Sequence, residues 1–422
     1  MALKAVRGFS DILPPETECW KLIEDQAREV LGRFGFAELR IPLLEKTEVF
    51  ARSIGEETDI VEKEMYTFPD RGGDSLTLRP EGTASIVRAY IEHKLYAAET
   101  VTKVFFIGPM FRYERPQKGR YRQFHQIDVE LFGTSNPMSD AEVISVLMHY
   151  FAVLNIKNCE LHVNSLGCGD CRRPYKEELL RFLRAHASGF CANCQRRMDR
   201  NPLRVFDCKV EDCQRMLRDA PLLQTYLCSA CTEHFGHVRE YLRILGVTSI
   251  VNPHMVRGLD YYSRTTFEVL APGLGAQNAV AAGGRYDQLV ESMGGPSVPG
   301  IGFAIGMERV LLLLQDPSSP PRSSLFIAAL GPSARDKAFT LYCRLNERGI
   351  ATTMDYEDRS LKAQMRRANK LNSRYVVIVG DDELRKGAAV FRDMKEQSQE
   401  ELPLATLFEE LNRRLAGDCV SA

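Results

Sequence analysis

Apolar residues recur every three or four positions at Trp20, Ile23, Ala27, Val30, Leu31 and Phe34, which predicts an amphipathic helix. Ser10, Asp11 and the pair Pro14 and Pro15 give it a start, and Gly32 and Gly35 a stop. The period then shortens. Residues 104–111 are an apolar run ending at Arg112, and Phe124, Gln126, Asp128 and Glu130 stand in the alternation of a half-buried strand. Pro116 and Gly119 lie between, so residues 108–133 predict two strands joined by a turn. A second hairpin is expected over 65–78, then helical spacing over 83–90, a helix over 139–154 and a short strand over 160–164. From 168 to 246 the pattern is helical, rich in Arg and Cys, and strand-like alternation returns after 248. A Pro/Ser run, QDPSSPPRSS, contains a linker, and beyond it strands and helices alternate down to an amphipathic helix over 404–415. The expected division is a sheet-based domain over 1–167 and 247–315, a helical Cys-rich insertion over 168–246, the linker over 316–324, and a C-terminal α/β domain over 325–422.

At 422 residues and 44% hydrophobic, the chain can form two or three domains, each with its own core. Residues 1–11 lack the apolar segment of a secretory signal, and no apolar stretch is long enough to cross a bilayer, so a cytoplasmic protein with no membrane association is expected. The net charge of −1 carries no global signature of nucleic-acid binding; contact with RNA has to be local. The best local candidate is the loop of the first hairpin, with Arg112, Arg115, Lys118, Arg120 and Arg122 set against Glu114 alone.

Candidate chemistry gathers at the ends of these elements. Arg112, where an apolar strand ends, presents a planar guanidinium suited to phosphate oxygens. Phe124 can stack on a flat heterocycle, and Gln126 and Glu130 share one strand face; the same run also fits a solvated charged hairpin. Glu81, Gly82 and Thr83 fall at a strand-to-helix junction, where a carboxylate serves either as a helix cap or as a ligand group. Arg257 precedes Tyr261 and Tyr262, a pair that fits strand packing as well as chemistry. Glycines at 300, 302 and 306 alternate along a strand that leads to Glu308 and Arg309, a sign of close approach to the backbone.

Several of these segments, in order, resemble the motifs of class II aminoacyl-tRNA synthetases of the histidyl type. FRYERPQKGRYRQFHQIDVE resembles motif 2, and GFAELRIPLLEKTEVFARSIGEET, with Ile41 and Pro42 near the end of an expected strand, resembles motif 1, the dimer-forming segment of that family. RPEGTAS is similar to the segment that grips the amino acid, RGLDYY to a histidyl-specific signature, and GGPSVPGIGFAIGMERVLLLL to motif 3. The resemblance implies an α+β catalytic domain on a mixed, mostly antiparallel sheet and a C-terminal anticodon-binding domain.

It also implies a homodimer that activates L-histidine with ATP and Mg²⁺ and transfers it to tRNA(His). By the same resemblance Arg112 would hold the α-phosphate, Arg257 would stabilise it from the other side, and Arg309 would hold the γ-phosphate. Glu114 and Phe124 would meet the adenine. Glu81, Gly82, Thr83, Arg112, Gln126, Glu130, Arg257, Tyr261 and Tyr262 would surround histidine. Gln117, Lys118 and Arg120 would face the tRNA acceptor end. Two alternatives share the fold: a non-catalytic paralog such as the regulatory subunit of ATP phosphoribosyltransferase, which typically lacks the C-terminal domain and RGLDYY, and an RNA-binding regulator without turnover.

The cysteines are a separate, local signal. Cys168 and Cys171, with Cys191 and Cys194, have the spacing of a four-cysteine zinc site, and Cys208, Cys213, Cys228 and Cys231 follow. Eight thiols suffice for two such sites, with His234 or His237 as substitute ligands; the alternative is free thiols on a helical insertion.

Overall fold

The computed structural model describes residues 3–55, 58–272, 274, 278–314 and 324–415, in two compact units divided near residue 316. The N-terminal unit is built on an eight-stranded sheet. Its strands, from one edge to the other, are Ala37–Glu38, Thr102–Phe111, Gln123–Phe132, Gly300–Gly306, Ala279–Arg285, Ser263–Leu270, Glu160–Ser165 and Ile250–Val251. Pairing is parallel at the two edges and antiparallel throughout the middle. The unit is therefore α+β on a mixed, mostly antiparallel sheet.

The two-residue period of the strands assigns each face its task. Along Gln123–Phe132, Ile127, Val129 and Leu131 enter the large apolar core, together with Ile301, Phe303 and Ile305 from the neighbouring strand. Helices Glu16–Arg33, Pro137–Val153 and Ser229–Ile244 cover that face with Trp20, Ile23, Val143, Leu147, Val238 and Leu242. The opposite face carries Phe124, Gln126, Asp128 and Glu130, and helix Thr83–Glu92 lies on that side.

Two expectations shift. Ile41 and Pro42 lie not in a strand but between Ala37–Glu38 and Leu44–Lys46. Pro42 has no N–H to give a ladder, and the carbonyls of Ile41 and Pro42 instead accept from Nη1 of the buried Arg79, at 2.7 and 2.9 Å. Leu44–Lys46 joins Ser75–Leu78 and Tyr66–Pro69 in a separate three-stranded sheet. The Cys-rich stretch is not purely an appendage, because its last helix, Ser229–Ile244, packs into the main core.

The glycine-rich run before Tyr286 ends in an unexpected buried network. Arg285, fully enclosed, donates to Asp140 (2.7 Å), Asp287 (2.7 Å), Thr134 O (2.8 Å) and Ser139 (3.0 Å). The other Asp140 oxygen pairs with His234 at 2.9 Å, so the last insertion helix is tied to the same carboxylate.

The C-terminal unit has a five-stranded sheet in the order Thr352–Met354, Leu325–Leu330, Tyr375–Gly380, Ala388–Asp393 and Ser398–Pro403, parallel over the first three strands. Helices Pro332–Glu347, Leu361–Lys370 and Leu407–Leu415 accompany it. Of the expected linker, residues 316–323 lie outside the described residues. Among the described residues no helix is long and apolar enough to cross a membrane.

Removing one partner of a buried ion pair strands the other without water. Arg285→Leu is expected to lower the unfolding free energy by about 3–5 kcal/mol in urea denaturation. Adding Asp140→Asn should recover part of the loss.

Candidate active site

The polar face of the sheet forms the floor of a cavity of about 650 Å³ in the N-terminal unit. Four segments converge on it. The strand Gln123–Phe132 supplies Phe124, Gln126 and Asp128; the start of helix Thr83–Glu92 supplies Glu81 and Thr83; residues 256–262 supply Arg257, Tyr261 and Tyr262; and helix Met307–Leu313 supplies Arg309 near its start. The alternating glycines of Gly300–Gly306 explain how side chains fit on this floor. A Cβ at Gly302 would lie 1.7 Å from Glu130 Oε2, and one at Gly82 would lie 2.7 Å from Asp128 Oδ2.

Arg112, Arg257 and Arg309 all face this one cavity. Arg112 donates Nε to Pro80 O at 2.8 Å, with its guanidinium 5.3 Å from the centre of the Phe124 ring. Burial pushes its pKa down, against the opposing pull of Glu64 and Glu81. Arg257 lies 5.3 Å from the Tyr262 ring and pairs with Glu268; burial opposes its charge, but Glu268, Tyr262 and Tyr261 together outweigh it and the pKa is raised. Arg309 bonds to Ala279 O, and burial followed by the Arg112 charge lowers its pKa. An anion bound among these groups would relieve their mutual repulsion.

The hairpin loop differs from its expected outward display. Arg120 turns into the cavity and pairs with Glu114, while Gln117 and Arg120 close the loop through reciprocal backbone bonds of 3.0 and 2.9 Å. Glu114 is therefore engaged by Arg120 and is not among the cavity-lining residues. Gln117 and Lys118 remain exposed at the loop tip.

The carboxyls are the buried half of the site. Glu81 accepts from the N–H groups of Thr83 (3.0 Å) and Ala84 (2.8 Å), and the Tyr261 hydroxyl reaches it at 3.5 Å. It both caps the helix and faces the cavity. Glu130 lies just beneath the floor, accepting from Thr83 Oγ1 at 2.6 Å and from the Tyr286 hydroxyl. Burial pushes Glu81, Asp128 and Glu130 above the ordinary carboxylate range; for Asp128 the Glu81 charge adds to the effect. Gln126 Oε1, Asp128 Oδ2 and Arg257 Nε are buried without a hydrogen-bond partner, leaving both donor and acceptor capacity around the cavity.

Asp128, Tyr286 and Glu268 carry this arrangement but were not assigned from sequence. Asp128 shares the alternation of Gln126 and Glu130, which was an available signal. No local pattern announced Arg197, Arg204, Asp207 and Lys209, which the insertion adds to the cavity wall.

The eight insertion thiols fall into two groups: Cys168, Cys171, Cys228 and Cys231, and Cys191, Cys194, Cys208 and Cys213. Within each group all sulfurs lie within 4.8 Å of one another. The first Cys-x-x-Cys thus meets the last one and not its sequence neighbour at Cys191 and Cys194, because the helices between them fold back on themselves. His234, a candidate ligand by sequence, is instead bonded to Asp140.

A family model described as histidyl-tRNA synthetase matches residues 8–310, and one described as an anticodon binding domain matches residues 324–414. The chain is 52% identical to a histidine–tRNA ligase of Syntrophotalea carbinolica over 99% of this chain and 100% of that protein. It is 54% identical to a histidine–tRNA ligase of Geobacter sulfurreducens, covering 95% of this chain and 97% of that one. The apo histidyl-tRNA synthetase of S. aureus has a similar structure, with a TM-score of 0.81 at 35% identity over 97% of this chain and 99% of that chain.

With its folded pKa above the unfolded value, Asp128 makes the folded state bind more protons between the two values. Stability therefore falls as pH rises through that window. Asp128→Asn is expected to be more stable than the parent at neutral pH, with the gain vanishing as pH is lowered toward about 4. Urea denaturation across the pH range measures this; a constant difference at every pH would count against a buried, raised carboxyl.

Proposed function

The chain belongs to the histidyl-tRNA synthetase family, and from this premise we propose that it is an ATP-dependent histidine–tRNA ligase that activates L-histidine and transfers it to tRNA(His). The carrying observation is that Arg112, Arg257 and Arg309 face one cavity whose floor is made of buried polar groups. A pure RNA binder has no use for three enclosed arginines around a small-molecule cavity. The two family matches together span the catalytic and anticodon-binding regions, which disfavours a paralog lacking the latter.

In the first step the histidine carboxylate attacks the α-phosphorus of ATP in line. A C–O–P linkage forms, the bond from the α-phosphorus to the bridging oxygen breaks, and pyrophosphate leaves with that electron pair. Two anions approach while charge builds on the α-phosphate, so fixed cations are the main requirement. Arg112 would hold the α-phosphate, Arg257 would meet it from the opposite side, and Arg309 would hold the γ-phosphate. Their anchoring to Pro80 O, Glu268 and Ala279 O supports a preorganised set. Mg²⁺ bound with ATP would add positive charge to the phosphates, and Glu64 and Glu268, which face the cavity, would offer it hard oxygens. Phe124 provides a flat face for adenine. Glu114, paired with Arg120, would help orient the nucleotide indirectly through that arginine.

Histidine is distinguished from other flat side chains by hydrogen bonds to its two ring nitrogens and its amino group. Glu81, Thr83, Gln126, Tyr261 and Tyr262 surround the place for it, with Gly82 leaving room for the Asp128 carboxyl and Glu130 orienting Thr83 from below. A ligand lacking the ring nitrogens leaves buried groups such as Gln126 Oε1 unpaired, a strong ground for rejection. In the second step the histidyl group passes to the terminal ribose hydroxyl of the tRNA and AMP leaves. Gln117 and Lys118 at the exposed loop tip, with Arg120 at its base, would meet the acceptor end.

The reading extends to three coarser features. The enzyme would act in the cytoplasm, with its tRNA. A homodimer is supported by the apolar side chains of Leu43, Leu44 and Phe68, all more than 40% exposed or close to it on or beside the three-stranded sheet next to motif 1. The two thiol groups of the insertion would be structural zinc sites: tetrahedral Zn–S bonds of about 2.3 Å put sulfurs roughly 3.8 Å apart. The sulfurs of Cys168 and Cys171 are 3.5 Å apart, and those of Cys191 and Cys208 3.9 Å.

ATP–pyrophosphate exchange measured with each amino acid tests the activity: stimulation by histidine alone is expected, and exchange with none would remove the proposal. Arg257→Lys keeps the charge but loses the planar fork. It is expected to slow adenylation by about 100-fold while weakening histidine binding only a few-fold; equal losses in both would argue against a role in the transition state. Leu44→Asp is expected to convert the dimer to monomers in analytical ultracentrifugation.

A further inference from the structure

We infer that the two cysteine centres hold one wall of the histidine cavity in place, by fixing the insertion side chains that carry residues 257–262. The inference rests on the reading of the centres as zinc sites and adds what they are for.

The first centre gathers the beginnings of two helices. Cys168 and Cys228 stand immediately before Gly169–Ala185 and Ser229–Ile244, and Cys171 and Cys231 lie in the first turns. Thiolates are favoured at such helix starts. The N–H of Cys228 points to Cys171 Sγ at 3.2 Å, the kind of donor that supports a metal-bound sulfur. The centre sits at the neck of the insertion, where Gly167 has φ +59° and a Cβ there would come within 2.6 Å of Cys171 Cβ. The residue after Cys171 makes the link to the cavity: Arg172 donates Nη1 to Tyr262 O at 3.0 Å.

The second centre lies among the middle helices. Cys191 and Cys194 open Ala192–Arg200, Cys208 precedes Glu211–Leu217, and Cys213 lies within it. Two backbone N–H groups again point at sulfur, Cys191 to Cys213 at 3.3 Å and Val210 to Cys208 at 3.4 Å. Between the two halves of this centre run Asn201 and Arg204. Arg204 donates to Gly258 O and to Asp59 Oδ2, each at 3.2 Å, and Asn201 donates to Asp260 Oδ1 at 2.8 Å. Arg204 also faces the cavity.

The apolar cluster of the insertion is built around Leu179, Leu183, Phe190 and Val205, and the centre cysteines Cys194, Cys208 and Cys213 are part of it. Helix Ala192–Arg200 buries only Cys194 and Met198, and helix Glu211–Leu217 only Cys213 and Leu217. Helices this short, each burying two side chains, gain from cross-links in small domains. A metal bound by four thiolates supplies such a cross-link, and its binding energy becomes folding energy. The bonds to Gly258, Asp260 and Tyr262 therefore depend on the centres, and through them the position of Arg257, Tyr261 and Tyr262 against histidine.

The test uses the full-length protein purified without added zinc, with metal content by plasma mass spectrometry and histidine affinity by calorimetry. About two zinc ions per chain are expected, and cobalt exchange should give the thiolate charge-transfer and tetrahedral d–d bands of a four-sulfur site. Cys213→Ser should lower the zinc content by about one ion and weaken histidine binding roughly five- to tenfold. Arg204→Ala, which leaves every thiol in place, should keep both metals and still weaken histidine binding by a similar factor. If Cys213→Ser does not fold, Arg204→Ala alone decides. Zinc near zero in folded protein would overturn the metal reading and this inference with it. Two zinc ions, with histidine affinity unchanged in Arg204→Ala, would overturn the coupling alone and leave the zinc sites standing.

Discussion

Everything at this site depends on placing charge where water cannot reach it. Asp128 and Glu130 on one sheet face and Glu81 at a helix start are buried beside Arg79 and Arg112, and isolated charges there would be prohibitively unfavourable. The fold meets that constraint by supplying fixed partners. Glu81 takes two N–H groups at a helix start, Glu130 takes two hydroxyls, and Arg79 takes the carbonyls of Ile41, Pro42 and Pro109. Around the cavity, Gln126 Oε1, Asp128 Oδ2 and Arg257 Nε remain unmatched. A ligand that matches them gains strongly because the medium around them is poor in water.

The sheet makes this possible by separating two incompatible environments with one residue of register. Ile127, Val129 and Leu131 face a closed apolar core while Gln126 and Asp128 face the cavity and Glu130 lies just beneath its floor. A slip of one residue would bury the carboxyls in that core, so the core itself fixes the register of the site. Glycine completes the separation. The strand Gly300–Gly306 pairs with Gln123–Phe132, and only the missing side chain at Gly302 leaves room for the Glu130 carboxylate.

The near-neutral net charge also has a structural counterpart. Much of the basic character of the 112–122 hairpin is spent internally: Arg120 on Glu114, Arg122 on the Glu114 carbonyl and, through its guanidinium, on the Tyr113 ring 3.9 Å away. The exposed remainder at the loop tip is small. This suits a surface that meets a polyanion at one place and in one register, because phosphate contacts elsewhere would bind any nucleic acid.

Local order was legible in the sequence wherever the signal was local. Alternation over 123–132, helical spacing over 16–34, the glycines at 300, 302 and 306 and the Arg112, Arg257 and Arg309 positions could each be read within about ten to twenty residues, and the family resemblance rested on segments of the same short reach. What the sequence could not carry was the choice of partner across long separations. Two Cys-x-x-Cys pairs standing next to each other suggested one site, yet Cys168 and Cys171 meet Cys228 and Cys231. Asp140 joins Arg285 and His234, and insertion residue Arg204 reaches Gly258. Glu81 caps a helix and also lines the cavity, since the two are the same place. Sequence determines which groups are available and on which face each lies, because periodicity is a property of neighbours along the chain. Only the tertiary structure decides which groups pair, because pairing depends on how distant elements come together around a shared core.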